Sequence, residues 1–144
     1  MAVKISKVDV WAGPIVDQPG GLAAKLQAIA KAGAKLEFVV ARRSPDKPGK
    51  GVVFLAPLKP GRQARAGAKV GLGKAKGMHS LRLSLPDKAG LGARITRALA
   101  DAKINLRGLS AAALGKQCVV YFSFDTAAAA NKAAKILKKT LAGQ

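Results

Sequence analysis

The sequence of 144 residues has few of the side chains on which catalytic and metal-binding sites depend. It contains one cysteine, Cys118, and one histidine, His79. A lone cysteine forms no intramolecular disulfide and no thiolate zinc cage, because both need several cysteines. A lone histidine excludes a two-histidine metal site. We therefore expect no metal or cofactor, and a reducing, cytoplasmic environment.

Long apolar runs are also missing. Lysines interrupt the apolar residues of the N-terminal segment 1–7, so we expect no signal peptide. No segment approaches the roughly 18 uncharged apolar residues that a membrane span needs. We expect no membrane partner.

Acidic residues are scarce, with 7 Asp and Glu against 26 Lys and Arg, for a formal net charge of +19. Such a charge attracts polyanions, so nonspecific polyanion binding is expected and nucleic-acid binding is the alternative function. Against specific RNA recognition, the strands carry no aromatic signature for base stacking. Phe122 and Phe124 are better explained as core residues.

Catalytic motifs are weak. A nucleophilic pair of Cys118 and His79 is conceivable. However, Cys118 alternates with Val120 and Phe122, which predicts a buried structural thiol. The glycines before Lys74 lack the spacing of a phosphate loop, and no Ser or Thr follows that lysine. We expect a protein that is not an enzyme.

The sequence does contain an internal repeat at an offset of 70 residues. Asp17 aligns with Asp87, Gly20 with Gly90, and Ile29 with Leu99. The repeat spans the whole chain and predicts two modules, 1–72 and 73–144.

Each module shows the pattern of an α+β fold. Apolar helical stripes follow Asp17 and Asp87. Strand-like runs occupy 3–11, 35–42 and 51–56 in the first module, and 79–85, 104–112 and 117–124 in the second. A C-terminal helix is predicted to start at Asp125-Thr126 and stop at Gly143. The corresponding segment 57–77 is rich in Gly and Lys, which predicts a weak helix or a linker.

The order β-α-β-β-α, found twice, predicts two ferredoxin-like antiparallel sheets with both helices on one face. Neither half holds an obvious fourth strand. We expect the open edge to be completed by the other half of the chain or by a second subunit.

Two of the seven acidic residues stand at the same place in the repeat, just before a glycine at a helix start. One interpretation is helix capping, in which Asp17 and Asp87 accept backbone N–H bonds. The other is a ligand site. Glycines at these positions expose backbone N–H groups that bind a carboxylate, while either Asp holds an ammonium group. A free amino acid carries both groups.

The segment 17–23, followed after a helix by 32–37, resembles the ACT domain in its tandem stand-alone form, and 87–95 followed by 102–106 is similar. The resemblance implies a βαββαβ module, pairing of sheets that makes a homodimer, and regulation by a small-molecule effector, an amino acid above all. It implies these ligand-binding residues: Asp17, Gln18, Gly20, Gly21, Asp87, Lys88, Gly90 and Asn105.

Two positions depart from the family pattern. Lys35 stands in the first copy where the second has Asn105, so the two sites are not expected to be equivalent. Ala89 replaces the usual proline of the second loop.

Overall fold

A computed structural model describes residues 3–142. The expected helix stop at Gly143 lies outside the described residues. Within them the chain forms eight strands and four helices, in two compact units. The inserted unit is Asp9–Lys76, and the split unit combines the segment before it with the residues from Gly77 onward.

The inserted unit is a complete βαββαβ module. Counting from β1 (Lys4–Val8), its elements are β2 (Trp11–Val16), α1 (Gly21–Lys31), β3 (Phe38–Arg43), β4 (Lys50–Ala56), α2 (Arg62–Lys69) and β5 (Gly73–Lys74). Its strands form one antiparallel sheet in the order β3-β4-β2-β5.

The split unit has the same architecture. The elements after Gly77 are β6 (His79–Pro86), α3 (Leu91–Asp101), β7 (Gly108–Leu114), β8 (Gln117–Phe124) and α4 (Ala127–Thr140). Its sheet has the order β1-β6-β8-β7, again antiparallel throughout.

The fourth strand of the split unit comes from the start of the chain. Strand β1 pairs with β6, with Ile5 opposite Leu83, and takes the place that β5 has in the inserted unit. The expectation that another part of the chain completes the edge is thus met within the molecule. The expected single run over 3–11 is instead two strands, because Ile5 packs against the core of the split unit and Trp11 belongs to that of the inserted unit. The units consequently divide the chain differently from a cut at 72.

Both cores lie between a sheet and its two helices, as predicted. In the split unit, Leu81, Leu83 and Leu85 alternate along β6 and are buried. They pack with Leu91, Ile95 and Leu99 of α3, and with Ala130, Ala133 and Leu137 of α4. The core of the inserted unit is smaller, with six buried residues: Trp11, Ile29, Val53, Leu55, Leu58 and Leu72.

Of the two alternatives for 57–77, the structure shows a helix, α2, followed by the short strand β5. Tertiary packing overrides the poor helix propensity of glycine here. Gly67 is buried, and a Cβ on it would lie 3.0 Å from Leu58 Cδ1, so the small residue lets the helix approach the core. Gly71, at φ +84°, follows the end of the helix.

In each unit two basic side chains tie the helices together. Arg62 donates to the carbonyl of Lys31 at 2.9 Å, and Lys25 donates to the carbonyl of Val70. In the split unit, Lys132 donates to the carbonyl of Ala102 at 3.1 Å, and Arg94 to that of Thr140 at 2.6 Å. Each bond runs to the C-terminal end of the opposite helix, so the two helices of a unit are antiparallel. We call this arrangement the helix clamp.

The C-terminal helix begins as predicted. Thr126 is the N-cap residue, and its Oγ1 accepts a hydrogen bond from the backbone N of Ala129 at 3.0 Å. Lys138 and Lys139 stand in the last turn, where cations complement the helix dipole.

The placement of β1 predicts where an N-terminal mutation acts. Ile5→Ala should cost about 1–3 kcal/mol, because it removes half-buried apolar surface from the split unit. Native-state hydrogen exchange should show lost protection in β6 and β8, whereas β4 should be unchanged. Ser6→Ala, at an exposed neighbouring position, is the control. Loss of protection in β2 and β4 instead would show that β1 stabilises the inserted unit.

Candidate functional site

The first acidic loop joins β2 to α1 and is held to the β3–β4 turn. The backbone N of Asp17 donates to the carbonyl of Gly49 at 3.0 Å. Its carboxylate pairs with Arg43 Nε at 2.9 Å, with 34% of the Asp17 side chain and 83% of the Arg43 side chain exposed. Ion pairs this accessible contribute only about 0–1 kcal/mol to stability. Both charged groups can therefore be drawn to a ligand at little cost to the fold.

Two glycines shape the end of this loop. Gly20, the N-cap residue of α1, has φ +88°, a conformation that side chains rarely adopt. A Cβ on Gly21 would lie 2.1 Å from the carbonyl oxygen of Val16, so the start of the helix packs directly against the end of β2. Both glycines are required by the backbone path.

The capping interpretation of the two acidic residues is not supported. The N-cap residues are Gly20 and Gly90, and neither makes a side-chain cap. Within residues 3–142, no hydrogen bond joins the carboxylate of Asp17 or Asp87 to a backbone N–H group of a helix. Among the same residues, the amides of Leu22 and Ala23 in the first turn of α1 have no hydrogen-bond acceptor. The start of α1 therefore presents free donors, as anion-binding helix ends do.

A cavity of about 230 Å³ opens beside Asp17. Ile15, Leu22, Ala41 and Gly51 give it an apolar floor, and its polar lining is Asp17, Gln18, Arg42 and Arg43. It is smaller than the roughly 300–1,000 Å³ of drug-sized pockets. Its size and its paired charges suit a small zwitterion.

The second acidic loop repeats the backbone but lacks the arginine. Asp87 N donates to the carbonyl of Lys116 at 2.9 Å, and the N of Leu91 donates to that of Lys88 at 3.3 Å. Gly90 has φ +81° and is the N-cap residue of α3. Ala112 and Ala113 occupy the positions equivalent to Arg42 and Arg43. Among the described residues, the Asp87 carboxylate has no ion-pair partner.

Asn105 lies at the other end of the sheet from Asp87. Asn105 comes shortly before β7. The first residue of β7, Gly108, is level with Ser80 near the start of β6, because both pair with Ser123 of β8. Asp87 follows the last residue of β6 and therefore lies at the opposite end of that strand. Asn105 is exposed. Within the split unit the structure does not bring it together with Asp87, Lys88 and Gly90.

The nucleophilic pair of Cys118 and His79 does not form. Cys118 lies opposite Leu85, and His79 lies at the other end of β6, opposite Phe124. Six residues of strand separate them, or about 20 Å. Cys118 is half-buried against the core. Its pKa is raised above that of an ordinary thiol, mainly because burial removes water from the thiolate and to a smaller extent because Asp87 places a negative charge nearby. It is therefore a weak nucleophile.

Other sites suggested by composition receive no support. Phe122 and Phe124 are fully buried and stack on each other with ring centroids 6.1 Å apart, so they offer no surface for bases. Among residues 3–142, no group of three His, Cys, Asp or Glu side chains could hold a metal ion. None of the described helices combines the length and apolarity needed to cross a membrane.

Comparison with known proteins yields structural matches but no sequence family. No family model and no curated protein matches the chain. Protein BT0572 from Bacteroides thetaiotaomicron matches with a TM-score of 0.78 at 13% identity, over 94% of this chain and 89% of the other. The ligand-free regulatory subunit of aspartate kinase from Thermus thermophilus matches with a TM-score of 0.64 at 14% identity, over 98% and 97% of the two chains.

A third match is Escherichia coli aspartokinase III, in complex with aspartate and ADP, with a TM-score of 0.61 at 13% identity over 97% of this chain and 33% of the enzyme. At such identities the likeness establishes the fold. The fold is the tandem ACT-like arrangement of βαββαβ modules that the loop motifs predicted.

Arg43 is a residue of the candidate site that the sequence did not indicate. It lies at the end of β3, far along the chain from the Asp17 loop. The repeat carried one signal, since Ala113 stands at the equivalent position of the second copy.

The close approach at Gly21 predicts a sharp difference between two glycines. Gly21→Ala should destabilise the protein by about 1–3 kcal/mol, because the added methyl group meets the Val16 carbonyl. Gly92→Ala is the matched control, since a Cβ there meets nothing within 4 Å, and helix propensity favours it by about 1 kcal/mol. Urea unfolding of both variants measures the difference. Equal stability would mean that α1 does not start against β2.

The pKa of Cys118 gives a second prediction. Alkylation by iodoacetamide should reach half its maximal rate at a higher pH in the folded protein than in urea, because burial disfavours the thiolate. Asp87→Asn should lower the pKa of Cys118 by removing a negative charge. Asp125→Asn, at the opposite end of β8, should leave the midpoint unchanged. An unshifted midpoint in Asp87→Asn would exclude the electrostatic contribution.

Proposed function

We propose that this chain is a non-enzymatic, cytoplasmic regulatory module that binds a free amino acid at the Asp17 loop. The observation that carries the proposal is the combination of a carboxylate, a guanidinium group and unpaired helix amides around one small cavity. The shared fold with regulatory subunits of aspartate kinase supports a regulatory role.

The charges of the cavity complement those of a free amino acid. The ammonium group of the ligand pairs with Asp17, and its carboxylate takes the place of Asp17 on Arg43, so the ion pair present in the structure opens to accept both ends. The amides of the first turn of α1 add donors for the carboxylate. Gln18 at the rim then contacts the side chain of the ligand.

The donors around the cavity favour an acidic side chain. The Arg43 guanidinium and the unpaired amides at the start of α1 together supply more donors than one carboxylate uses, against the single carboxylate of Asp17. A dicarboxylic amino acid, with two carboxylates and one ammonium, matches this set. Aspartate is also present with ADP in the E. coli aspartokinase III structure, which supports using it as the first probe.

The second loop is proposed as a weaker site. This loop provides a carboxylate from Asp87, a cation from Lys88 and a left-handed backbone turn at Gly90. However, alanines stand at the positions equivalent to Arg42 and Arg43. Asn105 stays a prediction from the family resemblance.

We also propose that the protein is a homodimer. Strands β3 and β7 each pair on one side only within the described sheets, so each leaves an edge for another copy.

The test is a titration with amino acids, starting with aspartate, in about 0.3 M salt so that nonspecific charge effects are screened. Trp11 is a suitable reporter, because it is buried in the same core against which Ile15 of the cavity packs. Saturable changes in its fluorescence and in Tm are expected for a ligand that binds the folded state.

Variants then locate the site. Asp17→Asn and Arg43→Gln should each weaken binding about tenfold or more, because each removes a charge-assisted hydrogen bond. The double variant keeps the net charge at +19. Asp87→Asn makes the same charge change in the other loop and should alter affinity less than about twofold. No response to any of the twenty amino acids, or equal losses in all variants, would refute the proposal.

A further inference from the structure

A second cavity lies between the two helices of the inserted unit, on the side away from the sheet and separate from the Asp17 loop. It has a volume of about 490 Å³. Alanines from both helices form its floor: Ala28, Ala32 and Ala66. The helix clamp holds its walls, since Arg62 donates to the carbonyl of Lys31 and Lys25 to that of Val70. We call this cavity the α1–α2 groove.

Every charged residue that lines the groove is a cation. Lys31, Arg62, Arg65 and Lys69 surround it, and neither helix contains an acidic residue. None of these four side chains has a carboxylate partner among residues 3–142. Several like charges around one concavity repel one another and focus a positive potential into it. A multivalent anion relieves that repulsion.

The equivalent place in the split unit shows that the fold does not require such a groove. There the helix clamp is the same, but Asp101 stands where Lys31 does and Ile136 stands where Ala66 does. Asp101 pairs with Arg97 at 3.1 Å, and Ile136 packs against the core. At this place the split unit has an acidic residue and a larger apolar side chain beside Lys132, Lys135 and Lys139, whereas the inserted unit is open and its charged residues are all cations.

We propose that the α1–α2 groove binds a small oligophosphate. Arg62 and Arg65 present planar forks that match phosphate oxygens, and Lys31 and Lys69 add point charges, so four cations meet the three or four negative charges of a phosphate chain. The alanine floor leaves room for an apolar or ring group attached to that chain. Nucleic acid fits less well, because no aromatic side chain lines the groove for base stacking.

The test measures binding of inorganic tripolyphosphate and of ATP to the full chain by calorimetry in about 0.3 M salt. The groove variant is Lys31→Ala with Arg65→Ala and Lys69→Ala, which leaves the helix clamp intact. The control variant is Lys135→Ala with Lys138→Ala and Lys139→Ala, which removes the same charge from α4. The groove variant should weaken binding at least about tenfold, and the control less than about twofold.

Ala66→Ile tests the groove without changing charge, by copying the residue of the split unit. It should weaken binding about tenfold while circular dichroism and Tm show a folded protein. Equal affinity for tripolyphosphate and ATP identifies the phosphate chain as the ligand, and tighter ATP binding adds the nucleoside on the alanine floor. Both results support the proposal.

Three results would overturn it: no binding of either probe, equal losses in the groove and control variants, or binding only to RNA with an affinity that grows with its length. Asp17→Asn should leave oligophosphate affinity unchanged, so failure here and failure of the amino-acid site are distinguishable.

Discussion

The helix clamp fixes the geometry on which the candidate sites depend. The last turn of a helix has carbonyl groups without intrahelical partners. In both units, a basic side chain from the neighbouring helix satisfies one of these groups at each end of the helix pair. This sets the spacing of two helices that have small residues at their contact. Part of the large positive charge therefore has a structural use.

Both candidate sites lie beside this helix pair. The clamp holds α1 antiparallel to α2. The amide end of α1 packs against the end of β2, where Gly21 approaches Val16, and the Asp17 loop turns through Gly20 beside the small cavity that Arg43 lines. Along the outer surface the same helix pair forms the α1–α2 groove.

Much of the fold could be predicted because it is encoded locally. The helical stripes, the hairpin at Gly115 and the Thr126 cap each depend on residues close in sequence, and the repeat doubled the information. The pairing of β1 with the sheet of the split unit has no such local signal, because it depends on which sheet has an open edge. One hint existed, because the adjacent residues Val10 and Trp11 are both apolar, which breaks the alternation of a single strand.

The candidate site was only partly predictable for a related reason. Asp17 and Gly20 could be predicted because both copies of the repeat have the same residue at each of these loop positions. Arg43 could not, because the two copies differ in sequence and in loop length next to it. The six residues 44–49 between β3 and β4 correspond to the two-residue turn at Gly115 and Lys116. A repeat identifies what two modules share, and the functional difference between them lies in what they do not share.

The two copies of the repeat differ in the helix layer and at the cavities. At equivalent positions the split unit has Leu137, Ile136 and Ala113, and the inserted unit has Gly67, Ala66 and Arg43. Each replacement in the inserted unit removes apolar packing or adds a charge, and each one lies in the helix layer or at a cavity. Proteins commonly give up stability where they bind ligands. The split unit has the larger core, closed by a strand from the start of the chain, and the sites proposed in the inserted unit lie where its packing is reduced.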